Sequence, residues 1–316
     1  MTGSTPPGGA TPPKVVYVAG RGHSGSTLLD RVLSGAPTVE GVGELVAGMG
    51  RVDEPCACGR TVAECEVWAD VRARASALAD QPWDEVVARN QRRARGARFG
   101  GTWRAGATDP EVDADRRATV AVYPALHERF AVATVVDSSK EITRALFLAR
   151  FVPEVVVVHL VRDPVDVLAS DLDRIRRGHY RFQRRTIDTK GRVLPFLVFD
   201  AVAWTVGNVL VELVARRRGA RVVRVRYEDL CTDPVAELGR LGEVLGLDLA
   251  ACVAAAADGE AFGFGHIVAG NPMRTGEAVR IRPPGGARRR IGRGEARVVR
   301  VATWPLRRRY GYVGGR

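Results

Sequence analysis

Lys14-Val15-Val16-Tyr17-Val18-Ala19-Gly20-Arg21-Gly22-His23-Ser24-Gly25-Ser26-Thr27-Leu28 is the stretch from which the fold can be read. Its first six residues form a short β-branched run of the kind that fills a buried strand, and a glycine-rich turn follows. From Ser26 to Leu33 the apolar spacing is that of an opening helix. The order is therefore strand, anion loop, helix. Gly20-x4-Gly25-Ser26-Thr27 nearly matches the phosphate loop G-x-x-x-x-G-K-[ST], but Ser26 stands where that loop carries lysine. Backbone N–H groups at a helix start still cradle an anion, and the hydroxyls of Ser24, Ser26 and Thr27 can donate to it. What is missing is the group that serves the β- and γ-phosphates, which argues against a small-molecule kinase. The plain alternative is a glycine-rich turn without a ligand.

The same grammar recurs three times. Ala133-Thr134-Val135-Val136 leads to Asp137-Ser138-Ser139-Lys140, Val155 to Val161 leads to Arg162-Asp163-Pro164, and Arg221 to Arg226 leads to Tyr227-Glu228-Asp229-Leu230. Valine-rich strands alternating with helical stretches predict an α/β fold with a central parallel sheet covered on both faces. Ligands of such sheets bind at the carboxyl ends of the strands, so the four polar segments should converge. Between the first and second of these strands lie helical patterns at Val71 to Leu78, Trp83 to Ala94 and Asp115 to Ala125. That crossover is longer than one βαβ unit needs, and about residues 45–130 are expected to form an inserted helical cap on the acceptor side. Leu194 to Arg217 reads as a core helix, and no transmembrane helix is expected. Residues 1–13, rich in Gly, Pro, Ser and Thr, lack the regions of a secretory signal. They are expected to be a disordered leader before one domain, 14–316, in the cytoplasm.

With 316 residues and 46% apolar content the chain can bury a sizeable core. Its formal charge of +12 invites a nucleic-acid reading. The lysines are only Lys14, Lys140 and Lys190, however, and the arginines are scattered over the whole chain, which reads as compositional bias. No specific nucleic-acid partner is expected; a small polyanion would still benefit from the field. The five cysteines, Cys56, Cys58, Cys65, Cys231 and Cys252, are odd in number and suggest no disulfide framework. Cys56, Cys58 and Cys65 offer three thiolates, but the spacing is not a standard zinc pattern and no fourth ligand other than an acidic side chain lies near in sequence. Reduced loop cysteines and no metal are the expectation.

A strand followed by [KR]-S-G-[ST]-T-L at a helix start resembles the 5′-phosphosulfate loop of sulfotransferases that use 3′-phosphoadenosine-5′-phosphosulfate (PAPS). His23-Ser24-Gly25-Ser26-Thr27-Leu28 stands in that register, with His23 where the family usually has Lys or Arg. Arg162-Asp163-Pro164 with Ser170 resembles the family's 3′-phosphate site, although on the residues alone Asp163 could simply cap a helix. Arg226-Tyr227-Glu228-Asp229-Leu230 is similar to the segment whose tyrosine lies near the adenine. His266 to Arg274, containing Gly270-Asn271-Pro272-Met273-Arg274, with Trp304 and Tyr310-Gly311-Tyr312, resembles the carboxyl-terminal signature of a bacterial branch.

The resemblance implies a P-loop-NTPase-like sulfotransferase fold and transfer of a sulfuryl group from PAPS to an acceptor hydroxyl, leaving 3′,5′-ADP (PAP). It implies donor contacts from Arg21, Gly22, His23, Ser24, Gly25, Ser26, Thr27, Leu28, Arg162, Ser170 and Tyr227, with Arg274 closing over the donor. His23, or Arg21 in its place, would support the leaving phosphate. Glu44 is the expected base, with Glu40 as a rival, and Lys140 would sit on the transferring group. Asp137 would orient a neighbour or cap a helix. His159, within a strand, reads as a core histidine, His127 and His179 as exposed, and His266 stays open. The acceptor would be a small molecule, natural product or carbohydrate, and a homodimer is left open.

Overall fold

A computed structural model describes residues 13–182, 185–217 and 219–313; residues 1–12, and with them nearly all of the expected leader, lie outside the described residues. The strands are β1 (Lys14–Gly20), β2 (Val39–Gly41), β3 (Thr134–Lys140), β4 (Val155–Val161), β5 (His179–Phe182), β6 (Arg185–Asp188) and β7 (Arg221–Arg226). Five of them make one parallel sheet in the order β2-β3-β1-β4-β7, and β5 and β6 pair as an antiparallel hairpin.

Alternation along the strands explains the two layers. Val15, Tyr17, Val135 and Val157 face one core with Trp68, Val71, Tyr123 and Leu126, from helices Glu66–Ala79 and Val122–Phe130. Val16, Val18, Val136 and Val158 face the other with Leu29, Leu33, Leu238 and Leu241, from helices Ser26–Leu33 and Pro234–Leu245. Each valine that leaves water this way contributes about 1.5–3 kcal/mol, so the sheet's centre is where the chain must fold.

β4 and β7 keep the bounds their valine runs predict, whereas β3 continues past Val136 through Asp137-Ser138-Ser139-Lys140. These polar residues stay in the strand because their side chains are satisfied inside it. Tyr123 Oη donates to Asp137 Oδ2 at 2.9 Å, the Ser139 N–H donates to Asp137 Oδ1 at 3.0 Å, and the Val46 N–H donates to Ser139 Oγ at 3.0 Å. Asp137 thus braces the strand together with buried Arg144 and does not cap the next helix.

The pattern at 115–125 is two helices, Pro110–Val120 and Val122–Phe130, meeting at Ala121. Pro124 cannot donate to a preceding turn and so must sit at a helix start. Helix Val193–Ala215 is only half a core helix. Leu197, Asp200, Ala201, Trp204 and Asn208 are buried, while Leu194, Val198, Val202 and Val206 are exposed. With 23 residues and a mean hydropathy of 1.7 in its most apolar window, it is long and apolar enough to cross a membrane by length and composition alone. Its inward stripe carries polar anchors: Asn208 bonds His159 at 2.8 Å, and Asp200 accepts from Tyr180 Oη at 2.8 Å.

Candidate active site

The segments that follow β1, β3, β4 and β7 meet at the carboxyl end of the sheet. In the loop after β1, Gly25 has φ +97° and precedes helix Ser26–Leu33. A Cβ on Gly25 would lie 2.3 Å from the Tyr227 ring, so the position needs glycine both for its backbone and for its neighbour. The Arg162 guanidinium lies 4.2 Å from the centroid of that same ring, and its Nη1 donates to the His23 carbonyl at 2.9 Å. Three segments distant in sequence are thereby one surface. Two of its donors, Ser24 Oγ and Arg162 Nε, are buried and have no hydrogen-bond partner among the described residues. Ser26 is buried as well, and Leu28 packs in the core below, so only the backbone of Leu28 can face an anion. We expect Gly25→Ala to lower folding stability by at least about 1 kcal/mol, the cost of a left-handed residue with a Cβ, in urea melts; wild-type stability would show that the Tyr227 contact yields freely.

Across the site, Gly43 at φ +75° turns the chain after β2, and the Glu44 N–H donates to the Val268 carbonyl at 3.1 Å. Lys140, at the end of β3, has φ +76° and donates from Nζ to Glu44 Oε1. A lysine held left-handed costs about 1–3 kcal/mol, which the surrounding structure must offset. The turn that carries Glu44 is braced from below: Asp30 Oδ2 accepts from the Gly43 N–H at 3.1 Å and from Ser138 Oγ at 2.7 Å. Arg31, also buried, bonds Asp30 and donates to the Phe264 carbonyl at 2.8 Å.

Residues 13–251 match the family profile described as the sulfotransferase family. The chain belongs to the sulfotransferase family. The sulfotransferase domain from the Synechococcus PCC 7002 olefin synthase superposes with a TM-score of 0.51 at 17% identity, covering 98% of this chain and 99% of that one. Sulfotransferase STF1 from Mycobacterium tuberculosis H37Rv gives 0.47 at 15% identity over 94% and 78%. The sulfotransferase domain from the curacin biosynthetic pathway gives 0.46 at 15% over 92% and 96%. At 17% identity the likeness to the olefin synthase domain is one of fold. No curated protein matches the chain by sequence.

In this sulfotransferase the two candidates for the leaving phosphate are held differently. Arg21 is bound to buried Asp200 and, at 3.0 Å, to Tyr180 Oη, so it is already committed to helix Val193–Ala215. His23, at φ +64°, places Nε2 3.1 Å from Asp171 Oδ1. Burial alone would push the Asp171 carboxyl up, but the hydrogen bond and charge of His23, with Arg174, hold it below the usual range. Ser170 closes the short helix Pro164–Ala169 and donates from Oγ to the Asp166 carbonyl at 3.0 Å. Asp163 caps that helix through the Val165 N–H at 2.9 Å, as its residue type alone suggests.

Arg274 has the Gly270 carbonyl at 3.4 Å and Glu54 at 3.8 Å among its polar neighbours, and Gly270 packs against Glu44. Two further sets of contacts are not foreseen by the sequence reading. Arg288 and Arg307, which nothing in the sequence singles out, reach Asp163 at 2.9 and 3.3 Å. Cys56, Cys58 and Cys65 do have a fourth neighbour of ligand type, His266, brought from the far end of the chain. His159 is a core histidine, its pKa lowered to about 4 by burial.

Glu40, the rival base, lies on β2 with Oε1 buried 3.7 Å from Arg31, and burial raises its pKa to about 7. Between the ordinary carboxyl range and pH 7 the unfolded chain releases this proton while the folded protein keeps it, so stability falls as pH rises and levels off above 7. Glu40→Gln should therefore raise the melting temperature relative to wild type at pH 8 and scarcely at pH 4. An equal shift at both pH values would show that folding does not raise the Glu40 pKa.

Proposed function

We propose that this sulfotransferase moves a sulfuryl group from PAPS to the hydroxyl of a small molecule, natural product or carbohydrate and releases PAP. The observation that carries the reading is the pair of buried, unpartnered donors, Ser24 Oγ and Arg162 Nε, at a loop that lacks the phosphate-loop lysine. Buried donors without acceptors cost about 1–3 kcal/mol each, a cost that a polyanionic donor would offset. The loop's N–H groups and Ser24, Ser26 and Thr27 would take the phosphosulfate, Arg162 and Ser170 the 3′-phosphate, and Tyr227 the nucleoside side.

In this scheme the acceptor oxygen attacks sulfur in line while the bond from sulfur to the 5′-phosphate oxygen breaks. The hydroxyl proton passes to Glu44, and the electron pair stays on the phosphate, where the imidazolium of His23 neutralises the growing charge. Asp171 holds that imidazolium in place. Lys140 keeps Glu44 aimed and sets a positive charge beside the transferring group. Five free cysteines suit a reducing compartment, which supports a cytoplasmic setting.

The test is transfer from labelled PAPS in a cell extract with mass spectrometry of the labelled product. Labelled acceptor together with stoichiometric PAP is the expected result. Transfer from Mg2+ and ATP, with none from PAPS, would overturn the reading in favour of a kinase.

A further inference from the structure

Cys56, Cys58, Cys65 and His266 place three sulfurs and one imidazole nitrogen within 4.8 Å of one another. Cys58 Sγ and Cys65 Sγ are 3.7 Å apart, and His266 Nδ1 lies 3.3 Å from Cys65 Sγ and 3.9 Å from Cys56 Sγ. Metal bonds of about 2.3 Å to sulfur and 2.0 Å to nitrogen put tetrahedral ligand atoms about 3.5–3.8 Å apart. A disulfide would need sulfurs at about 2.05 Å, and all the cysteines are free. From these distances we infer that the four residues form a closed structural zinc site of the Cys3His type.

The backbone around the cysteines is built as a ligand turn. The Cys56 N–H donates to the Arg60 carbonyl at 2.9 Å and the Gly59 N–H to the Cys56 carbonyl at 3.0 Å, with Gly59 at φ +91° closing the turn. The N–H groups of Cys58 and Arg60 face the Cys56 and Cys58 sulfurs, and Cys65 stands at the N-terminus of the 14-residue helix Glu66–Ala79. Soft sulfur with one imidazole in a tetrahedral set selects zinc among the common divalent ions. Cys56 and Cys65 are buried and only Cys58 is exposed, so the four ligands leave no position open for a reacting water, as in a structural site.

The ion would join two segments that the chain separates by some 200 residues. Trp68 Nε1 donates to the His266 carbonyl at 2.8 Å, the Ala57 N–H to the Ile267 carbonyl at 3.1 Å, and Cys56 and Gly43 both pair with Val268. Val268 in turn accepts from the Glu44 N–H. A zinc staple here fixes the start of the helical region at 55–79 to the strip that holds Glu44 and Gly270.

The full-length protein, purified without a metal-affinity step or chelator, is expected to carry one zinc per chain by plasma mass spectrometry. Cys58→Ser, at the exposed ligand, should lose most of it, and a dipicolinate-stripped sample should melt lower and recover on addition of Zn2+. Should the variant fold poorly, the wild type answers alone: Co2+ added to stripped protein should give the intense visible bands and thiolate charge transfer of a tetrahedral sulfur site. Substoichiometric zinc that is unchanged in Cys58→Ser, weak octahedral Co2+ absorption, or a Cys58–Cys65 disulfide in peptide mapping would each overturn the site. None of these readouts depends on which group the enzyme transfers.

Discussion

Glu44→Gln is expected to lower turnover by about 10²–10⁴-fold, the usual worth of a positioned base, while affinity for PAP stays close to that of the wild type. The substitution keeps the shape of the side chain, and its amide oxygen still accepts from Lys140 Nζ, so the end of β3 and the Gly43 turn should keep their places. What is lost is the capacity to take a proton. Arg162 and Tyr227 are tied to the loop through the His23 carbonyl and Gly25, and among the described residues no hydrogen bond or ion pair joins them to Glu44. Steady-state kcat with each variant, alongside calorimetric titration of PAP, separates the two effects. A matching loss of PAP affinity would end the proposed division between a donor side and an acceptor side. Unchanged turnover would pass the role to Glu40, which burial has already brought to a pKa of about 7.

The sequence shows the parts of this fold whose physics is local. β4 reads correctly because all seven of its residues are buried, so a valine-rich run interrupted only by His159 means what it says. The turn at Gly25 is legible because its left-handed φ is a local demand that glycine meets, whereas the close approach of the Tyr227 ring to the same residue is not. β2 escapes notice because Val39-Glu40-Gly41 offers only one apolar side chain, and its strand character comes from pairing with β3. Asp30 and Arg31, in the middle of helix Ser26–Leu33, look like an ordinary solvated pair; their burial is decided by the Gly41–Gly43 turn folding over them.

The remainder of the site was illegible for one reason: its partners come from the other end of the chain. His266 is 201 residues from Cys65, and Arg288 is 125 residues from Asp163. Among so many scattered arginines, no local signal marks Arg288 and Arg307 as the two that reach the R-D-P turn. The stripe of helix Val193–Ala215 was ambiguous in a different way. Its residues are apolar all round, so periodicity could not pick the inward face, but Asp200 and Asn208 mark it in retrospect, because a buried polar group must find a partner.

Arg162→Ala is expected to weaken PAP binding by about 1–3 kcal/mol, or about 5- to 150-fold. One side chain here does three things at once. It ties the loop through the His23 carbonyl, it covers the Tyr227 ring that packs on Gly25, and it leaves Nε buried and unpartnered for an acceptor that the protein itself does not supply. Alanine removes all three, so the rise in melting temperature that PAP gives the wild type should shrink in proportion to the lost affinity. Arg162→Lys separates charge from shape: it keeps a cation but loses the fork and the flat face on Tyr227. If recognition is by the guanidinium's geometry, Lys should fall nearly as far as Ala; if by field alone, Lys should recover most of the binding. Because the unpartnered Nε is a cost to the free protein, the apo form of Arg162→Ala should lose less stability than the complex does. Calorimetry that finds PAP bound as tightly by Arg162→Ala as by the wild type would remove Arg162 from the donor site and leave its stack on Tyr227 as a purely structural contact.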